Sequence, residues 1–256
     1  MKKYTIIFLM LLLATSANAQ NVRFVTQGAI VYEKKVNIYA LMKAEIKKYP
    51  NDIYYVRMFE EYQKTQPQFK VLKSTLNFNK GRTLYTPDDE STGQSAWNNF
   101  TIAKQHNTVL TNVDNSTSLT QKKVFEETYL VKDTTRKINW KITDEIRNIA
   151  GYDCRRANAL IMDSIYVVAF YTDEIPVSGG PETFTGLPGM ILGVALPYEH
   201  VTWFATLVND QPITDDKLKA PTKGKPVNNA QLFTILKAAL KDWGSEANEN
   251  LKALML

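Results

Sequence analysis

Residue types that commonly carry chemistry are scarce in this sequence of 256 residues. It contains one cysteine, Cys154, and two histidines, His106 and His200. A single cysteine excludes an internal disulfide, so stability has to come from burial of apolar surface. We expect Cys154 to be a buried small residue, with a reactive or metal-binding thiol as the alternative. The two histidines are far apart and follow no ligand spacing, so we expect neither a metal nor a cofactor.

Long apolar runs are absent after the first residues of the chain. At the N-terminus, Lys2 and Lys3 precede the apolar stretch Ile6 to Ala14, and Ala17-Asn18-Ala19 follows as a small-x-small pattern. This order is typical of a secretory signal peptide, and the stretch is too short to cross a bilayer. The sequence therefore predicts a signal peptide at 1–19, cleaved after Ala19, and no transmembrane segment after cleavage. It also predicts one domain at 20–256 and a periplasmic or secreted location.

A strong excess of one charge is also missing. The chain has 31 basic and 26 acidic residues, a formal charge of +5. Lys2 and Lys3 belong to the predicted signal, which leaves a charge of +3 on the mature chain. This balance, without a basic stripe, argues against a nucleic-acid partner.

Hydrophobic periodicity predicts the fold class. Helical spacing marks Val36 to Lys48 and Ile53 to Lys64, and period-two alternation then dominates the middle of the chain. Asn79 to Arg82 fits a hairpin turn in which Gly81 takes a positive φ. A last helix starts at Asn228 or Asn229, with Leu232, Leu236, Leu240 and Trp243 as its apolar stripe and Gly244 after its end. We predict an α+β fold, a β-rich antiparallel curved meander sheet with helices near the N- and C-terminal ends packing on it.

One segment, Asp173 to Leu192, departs from the usual composition of a loop. It combines Pro and Gly with the apolar residues Ile175, Val177, Phe184 and Leu187. Leu187-Pro188-Gly189-Met190 fits a type II turn, in which Gly189 accepts a positive φ. Gly186 and Gly179-Gly180 are expected to let backbones approach closely. The pattern predicts a rigid apolar loop folded over the sheet and followed by a strand at Met190 to Leu196.

The hexapeptide Gly186-Leu187-Pro188-Gly189-Met190-Ile191 resembles the signature of the GLPGLI family. The resemblance extends upstream through Gly151-Tyr152-Asp153-Cys154, Ala169-Phe170-Tyr171, Ile175-Pro176 and Gly180-Pro181, and it covers roughly Ile149 to Leu196. Met190 stands where the family usually has Leu. Asp163-Ser164 stands where the family often has Gly-Arg. The resemblance implies export by Gram-negative bacteria and genes beside TonB-dependent outer-membrane receptors, with no agreed catalytic residues.

These observations favour a non-catalytic binding or accessory module, in which the loop is a preorganised platform. Its expected partner is a peptide, a lipid-like ligand or a segment of an outer-membrane receptor. The alternative is a hydrolase of exported polymers that uses carboxylates brought together by the fold. Ser164, in Asp163-Ser164-Ile165, is a candidate for O-glycosylation. The candidate binding residues are Tyr171, Ile175, Pro176, Gly180, Pro181, Phe184, Gly186, Leu187, Pro188, Gly189, Met190 and Ile191.

Overall fold

The computed structural model describes residues 24–88 and 100–256, so the predicted signal peptide at 1–19 lies outside the described residues. The strands in the described part are β1 (Gln27–Asn37), β2 (Phe69–Asn79), β3 (Arg82–Pro87), β4 (Thr108–Asn112), β5 (Thr117–Val124), β6 (Glu127–Thr134), β7 (Lys141–Ile149), β8 (Tyr152–Ile161), β9 (Ile165–Thr172), β10 (Met190–Leu196), β11 (Val201–Asn209) and β12 (Lys225–Val227). The helices there are α1 (Ile38–Lys48), α2 (Ile53–Thr65), α3 (Thr101–Lys104), α4 (Asn229–Ala239), α5 (Glu246–Met255) and a 3₁₀ helix at Asp215–Leu218. Within these residues, no helix has the length and apolar content needed to span a bilayer.

The strands form one sheet in the order β12-β6-β5-β4-β3-β2-β1-β11-β10-β9-β8-β7. Two antiparallel meanders, β1 to β6 and β7 to β11, meet where β1 pairs antiparallel with β11. The short β12 is the exception, because it pairs parallel with β6. The predicted fold class, a meander sheet with helices toward the chain ends, is confirmed.

The connection between the two meanders forces the sheet to curl. β6 and β7 are ten strand spacings apart in the sheet order, which is about 48 Å in a flat sheet. The chain runs from Thr134 at the end of β6 to Lys141 at the start of β7, and seven residue steps reach about 25 Å at most. The two ends of the sheet must therefore approach each other.

The concave face of the curled sheet holds the main hydrophobic core. Ile30, Tyr32 and Val36 of β1 point inward beside Val201 and Trp203 of β11, and all five are buried. A second, smaller cluster lies near the β6 end of the sheet. There Leu232, Leu236, Leu240 and Leu254 of the last two helices pack on Val124, Tyr129 and Val131.

The predicted local signals were largely accurate. The β2–β3 hairpin turns at Lys80 and Gly81, whose φ values are 44° and 76°, and this pair of positive values is typical of a type I′ turn. The stripe on the last helix was wrong at Trp243. Helix α4 ends at Ala239 with Leu240 as its C-cap, so Trp243 lies beyond the helix. The Trp243 side chain is 43% exposed, and its ring packs against the ring of Phe125.

Helix α4 begins with a reciprocal cap. The Asn228 side chain accepts a hydrogen bond from the Gln231 backbone N–H (2.8 Å), and the Gln231 side chain accepts one from the Asn228 backbone N–H (2.9 Å). Asn228→Ala should lower the free energy of unfolding by about 1 kcal/mol, because the Gln231 backbone N–H loses its side-chain acceptor. Urea unfolding measures this, with Asn248→Ala on the exposed side of α5 as the control. An equal effect of the two substitutions would contradict the capping role.

Candidate functional site

The loop between β9 and β10, residues 173–189, is called the GLPG loop here. Its backbone is held at several points: Met190 N–H donates to Ile175 O (3.0 Å) and Ile191 N–H donates to Gly179 O (2.8 Å). Ser178 closes the loop on itself, because its hydroxyl accepts from Gly186 N–H (3.1 Å) and its carbonyl accepts from the Thr185 hydroxyl. These bonds give an ordered segment without regular secondary structure.

The apolar side chains of the GLPG loop point into the sheet. Ile175, Val177, Phe184 and Leu187 are all buried, and the Phe184 ring lies 6.0 Å from the ring of Trp203. The loop therefore fills the concave face as part of the core. Burial of four apolar side chains stabilises the loop by several kcal/mol, at about 1.5–3 kcal/mol for each large side chain.

The two glycines of the hexapeptide exchange the roles predicted for them. Gly186 has a φ of +95°, whereas Gly189 is absent from the residues with positive φ. The predicted type II turn with positive φ at Gly189 is therefore wrong. Gly189 is required by close approach, since a Cβ there would overlap the Thr172 carbonyl oxygen, while a Cβ at Gly186 would have only Trp140 nearby, at 3.5 Å. Sequence alone could not separate these two uses of glycine.

This exchange predicts different costs for the same substitution. Gly189→Ala should lower the free energy of unfolding by about 2–4 kcal/mol, because the obstructing atom belongs to the backbone and cannot rotate away. Gly186→Ala should cost about 1 kcal/mol, from its positive φ alone. Denaturant unfolding of the two variants compares them directly. A larger loss for Gly186→Ala would overturn the assignment.

The predicted binding residues separate into two groups. Tyr171, Ile175, Gly180, Pro181, Phe184, Leu187, Gly189, Met190 and Ile191 are buried. Pro176, Gly186 and Pro188 are exposed, so these three are the predicted binding residues that a partner can contact directly. Ser164 is exposed in the turn between β8 and β9, where its hydroxyl donates to Met162 O (3.1 Å). Its modification stays a prediction.

The GLPG loop adjoins the segment that leads into β7, the edge strand of the described sheet. The indole N–H of Trp140 donates to Thr185 O (3.0 Å), and β7 begins at the next residue. Along β7 only Ile149 is buried, and Ile142 and Ile146 are 43% and 62% exposed. The alternation of Ile138, Trp140 and Ile142 with Asn139 and Lys141 predicts a strand at Ile138 to Ile142 with one buried face. The structure begins the strand only at Lys141 and places it at the edge of the sheet, so this prediction was wrong in both respects.

A buried polar cluster lies on the concave face beneath α5, and sequence reasoning missed it. Asn107 donates from its side-chain amide to Glu182 (3.0 Å), and the Lys34 ammonium lies 5.1 Å from the centre of the Trp203 ring. Lys122 is 4% exposed and donates to Leu254 O (2.7 Å). Burial lowers the pKa of Lys122 to about 8.

The period-two pattern of the strands could have identified Lys34 and Lys122 as side chains that point to the concave face. Lys34 falls in the alternation of Ile30, Tyr32 and Val36, and Lys122 lies between Thr120 and Val124 with the same spacing of two. A lysine in the inward register of a strand must be buried unless the strand bends.

The comparisons with known proteins concern the family and the fold. A family model described as "Protein of unknown function (Porph_ging)" matches residues 160–193, which include β9 and the GLPG loop. This range lies inside the segment on which the GLPGLI resemblance rests, and membership in that family stays a prediction. Among curated proteins, no sequence matches this chain.

Solved structures of PNGF-II are similar in fold. One, in a C2 space group, is 14% identical with a TM-score of 0.51, covering 80% of this chain and 31% of that one. Another, in a P21 space group, is 17% identical with a TM-score of 0.49, covering 79% and 32%. The chain therefore spans about a third of the length of these proteins. At this identity the likeness concerns the fold alone.

The single thiol is enclosed by the fold. Cys154 is buried, and burial, together with the negative charges of Asp153 and Glu174, raises its pKa to about 12. In the described residues, no group of three or more His, Cys, Asp or Glu side chains could hold a metal ion. Cys154 is therefore placed as a core residue.

A thiol reagent should report this burial. At pH 8 the native protein should react at least about a hundredfold more slowly than the urea-unfolded chain, because the thiolate is the reactive form and burial suppresses it. Labelling followed by mass spectrometry measures both rates on one residue. Rapid labelling of the native protein would contradict the buried, protonated thiol.

Proposed function

We propose that this protein is an exported, non-catalytic binding module that pairs an extended segment of another envelope protein with its edge strand β7. Trp140 and the exposed residues of the GLPG loop extend the same surface. The signal-like N-terminus supports export, and the resemblance to GLPGLI proteins suggests an outer-membrane receptor as the partner.

The proposal rests on a difference in length and composition between the two edge strands of the sheet, β12 and β7. At one end, β12 is three residues long and contains Pro226, which cannot donate to a further strand. At the other end, β7 is nine residues long; among the described residues its strand partner is β8, and this pairing shifts register between Ile142 and Ile146. A long edge strand offers backbone groups to an added strand, while the register shift and the charged side chains of β7 restrict which segment can pair with it.

The chemistry of β7 favours a peptide over a lipid-like ligand. An edge strand offers backbone N–H and C=O groups, which a peptide backbone matches and a hydrocarbon chain does not. Its exposed side chains mix Ile142 and Ile146 with Lys141, Asp144 and Arg147. We therefore expect an extended segment with alternating apolar and charged residues of both signs.

The GLPG loop contributes rigidity to this surface. Trp140, at the start of β7, is fixed by its bond to Thr185 O and packs beside Gly186. The loop itself is anchored by the buried side chains of Ile175 and Leu187. A surface ordered before binding loses less conformational entropy when the partner arrives.

The alternative, a hydrolase, has less support. Glu182 is the one acid in the lining of the cavity beside Lys34, and its carboxylate is bound to the Asn107 amide. A two-carboxylate mechanism needs a second acid about 5–10 Å away. The side chains that line this cavity supply no such second acid.

A photo-crosslinking amino acid at position 146, introduced into the full chain in its native cells, tests the proposal. The matched control is position 160, because Leu160 is 60% exposed but lies on the interior strand β8. We expect an adduct from position 146, with an envelope protein identified by mass spectrometry, and none from position 160.

The crosslinked segment, made as a synthetic peptide, provides the second measurement. Its affinity for the purified mature protein should fall at least about tenfold in Ile146→Lys and stay unchanged in Leu160→Lys, since only the first substitution alters the edge. Equal adducts at both positions, or no adduct at position 146, would refute the proposal.

A further inference from the structure

A small polar chamber lies between β5, β6 and the end of α5, away from the β7 edge. Its volume is about 40 Å³, which exceeds the space for one water molecule. Hydroxyl and amide groups form much of its wall, from Ser118, Thr120, Thr134, Thr183 and Asn229. Because Thr134 and Asn229 are exposed, the chamber reaches solvent on that side.

The charged side chains of the chamber wall are both basic. Lys122 and Arg136 line it, and no acidic side chain does. The nearby acids, Glu182 and Asp133, already have partners: Glu182 accepts from Asn107 (3.0 Å), and Asp133 accepts from the backbone N–H groups of Asn229 (2.9 Å) and Thr134 (2.7 Å). These backbone bonds lower the pKa of Asp133, so its carboxylate stays ionised and bound at the mouth.

The two cations have hydrogen-bonding capacity left over. Lys122 uses one of its three donors on Leu254 O. Arg136 donates from Nη2 to Met255 O, while its Nη1 is buried and has no partner among the described residues. A buried charged donor without a partner costs more than a neutral one, so an acceptor in the chamber is favoured.

We propose that this chamber binds a compact oxyanion, a carboxylate or a tetrahedral phosphate-like group. The anion accepts hydrogen bonds from Lys122, from Arg136 Nη1 and from the hydroxyls of the wall. These are the charge-assisted bonds that distinguish anion sites from water sites. Lys122 and Arg136 also donate hydrogen bonds to the last carbonyls of α5. A bound anion that fixes these two side chains therefore also stabilises the end of that helix.

Thermal unfolding of the full mature protein tests the site. Sulfate and acetate are compared with chloride at matched ionic strength, and the two probes separate a tetrahedral from a carboxylate preference. We expect at least one of them to raise the melting midpoint above the chloride value, because binding to the native state stabilises it.

Lys122→Met should remove the anion-specific rise, and Lys123→Met should retain it. Lys123 is the matched control because it is the next residue of β5 and is exposed. No anion-specific rise in the wild-type protein, or an equal rise in Lys122→Met, would overturn the site.

The pH profile of the wild-type protein gives a readout that does not depend on a variant folding. Lys122, with its pKa near 8, is charged below that value and neutral above it. Sulfate affinity, measured calorimetrically, should therefore fall by up to about tenfold between pH 7 and pH 9, where sulfate itself does not titrate. Unchanged affinity at pH 9 would contradict a role for Lys122.

Discussion

The curl of the sheet depends on one geometric constraint, the short connection from β6 to β7. Because this connection must join strands at nearly opposite ends of the sheet order, the ends approach each other and a concave face forms. The same connection then contributes side chains to that face: Trp140 bonds to the GLPG loop, and Arg136 bonds to the end of α5. A longer connection would allow a flatter sheet with no enclosed interior.

The concave face explains why the GLPG loop has its unusual composition. A loop that lines a core must bury apolar side chains and also let its backbone pass close to neighbouring strands. Ile175 and Leu187 meet the first requirement, and Gly189, packed against the Thr172 carbonyl, meets the second. The Gly-Leu-Pro-Gly motif is therefore explained mainly by packing, and Pro176, Gly186 and Pro188 are the predicted binding residues that stay exposed.

Two separate surfaces remain available for function. The β7 edge is exposed, with charges of both signs, and suits a peptide backbone. The chamber beneath α5 opens to solvent at Thr134 and Asn229, has Lys122 and Arg136 as its charged side chains, and suits a small anion. They share no residue, so the failure of one assignment leaves the other intact. The curl of the sheet also has an energetic cost at this chamber. A lysine on the concave face loses its hydration and needs hydrogen-bond acceptors from the protein.

The sequence by itself determined the local structure and the fold class. Helix spacing, the Gly81 hairpin turn and a cap at Asn228 or Asn229 depend on neighbouring residues and were predicted from short patterns; the structure confirms the turn at Gly81 and places the cap at Asn228. Only the tertiary structure decided which glycine needs a positive φ and which needs space, and which strand lies at the edge. It also decided that Lys122 meets Arg136 and the end of α5. These properties depend on residues far apart in the chain, and strand order, which brings them together, leaves no local pattern.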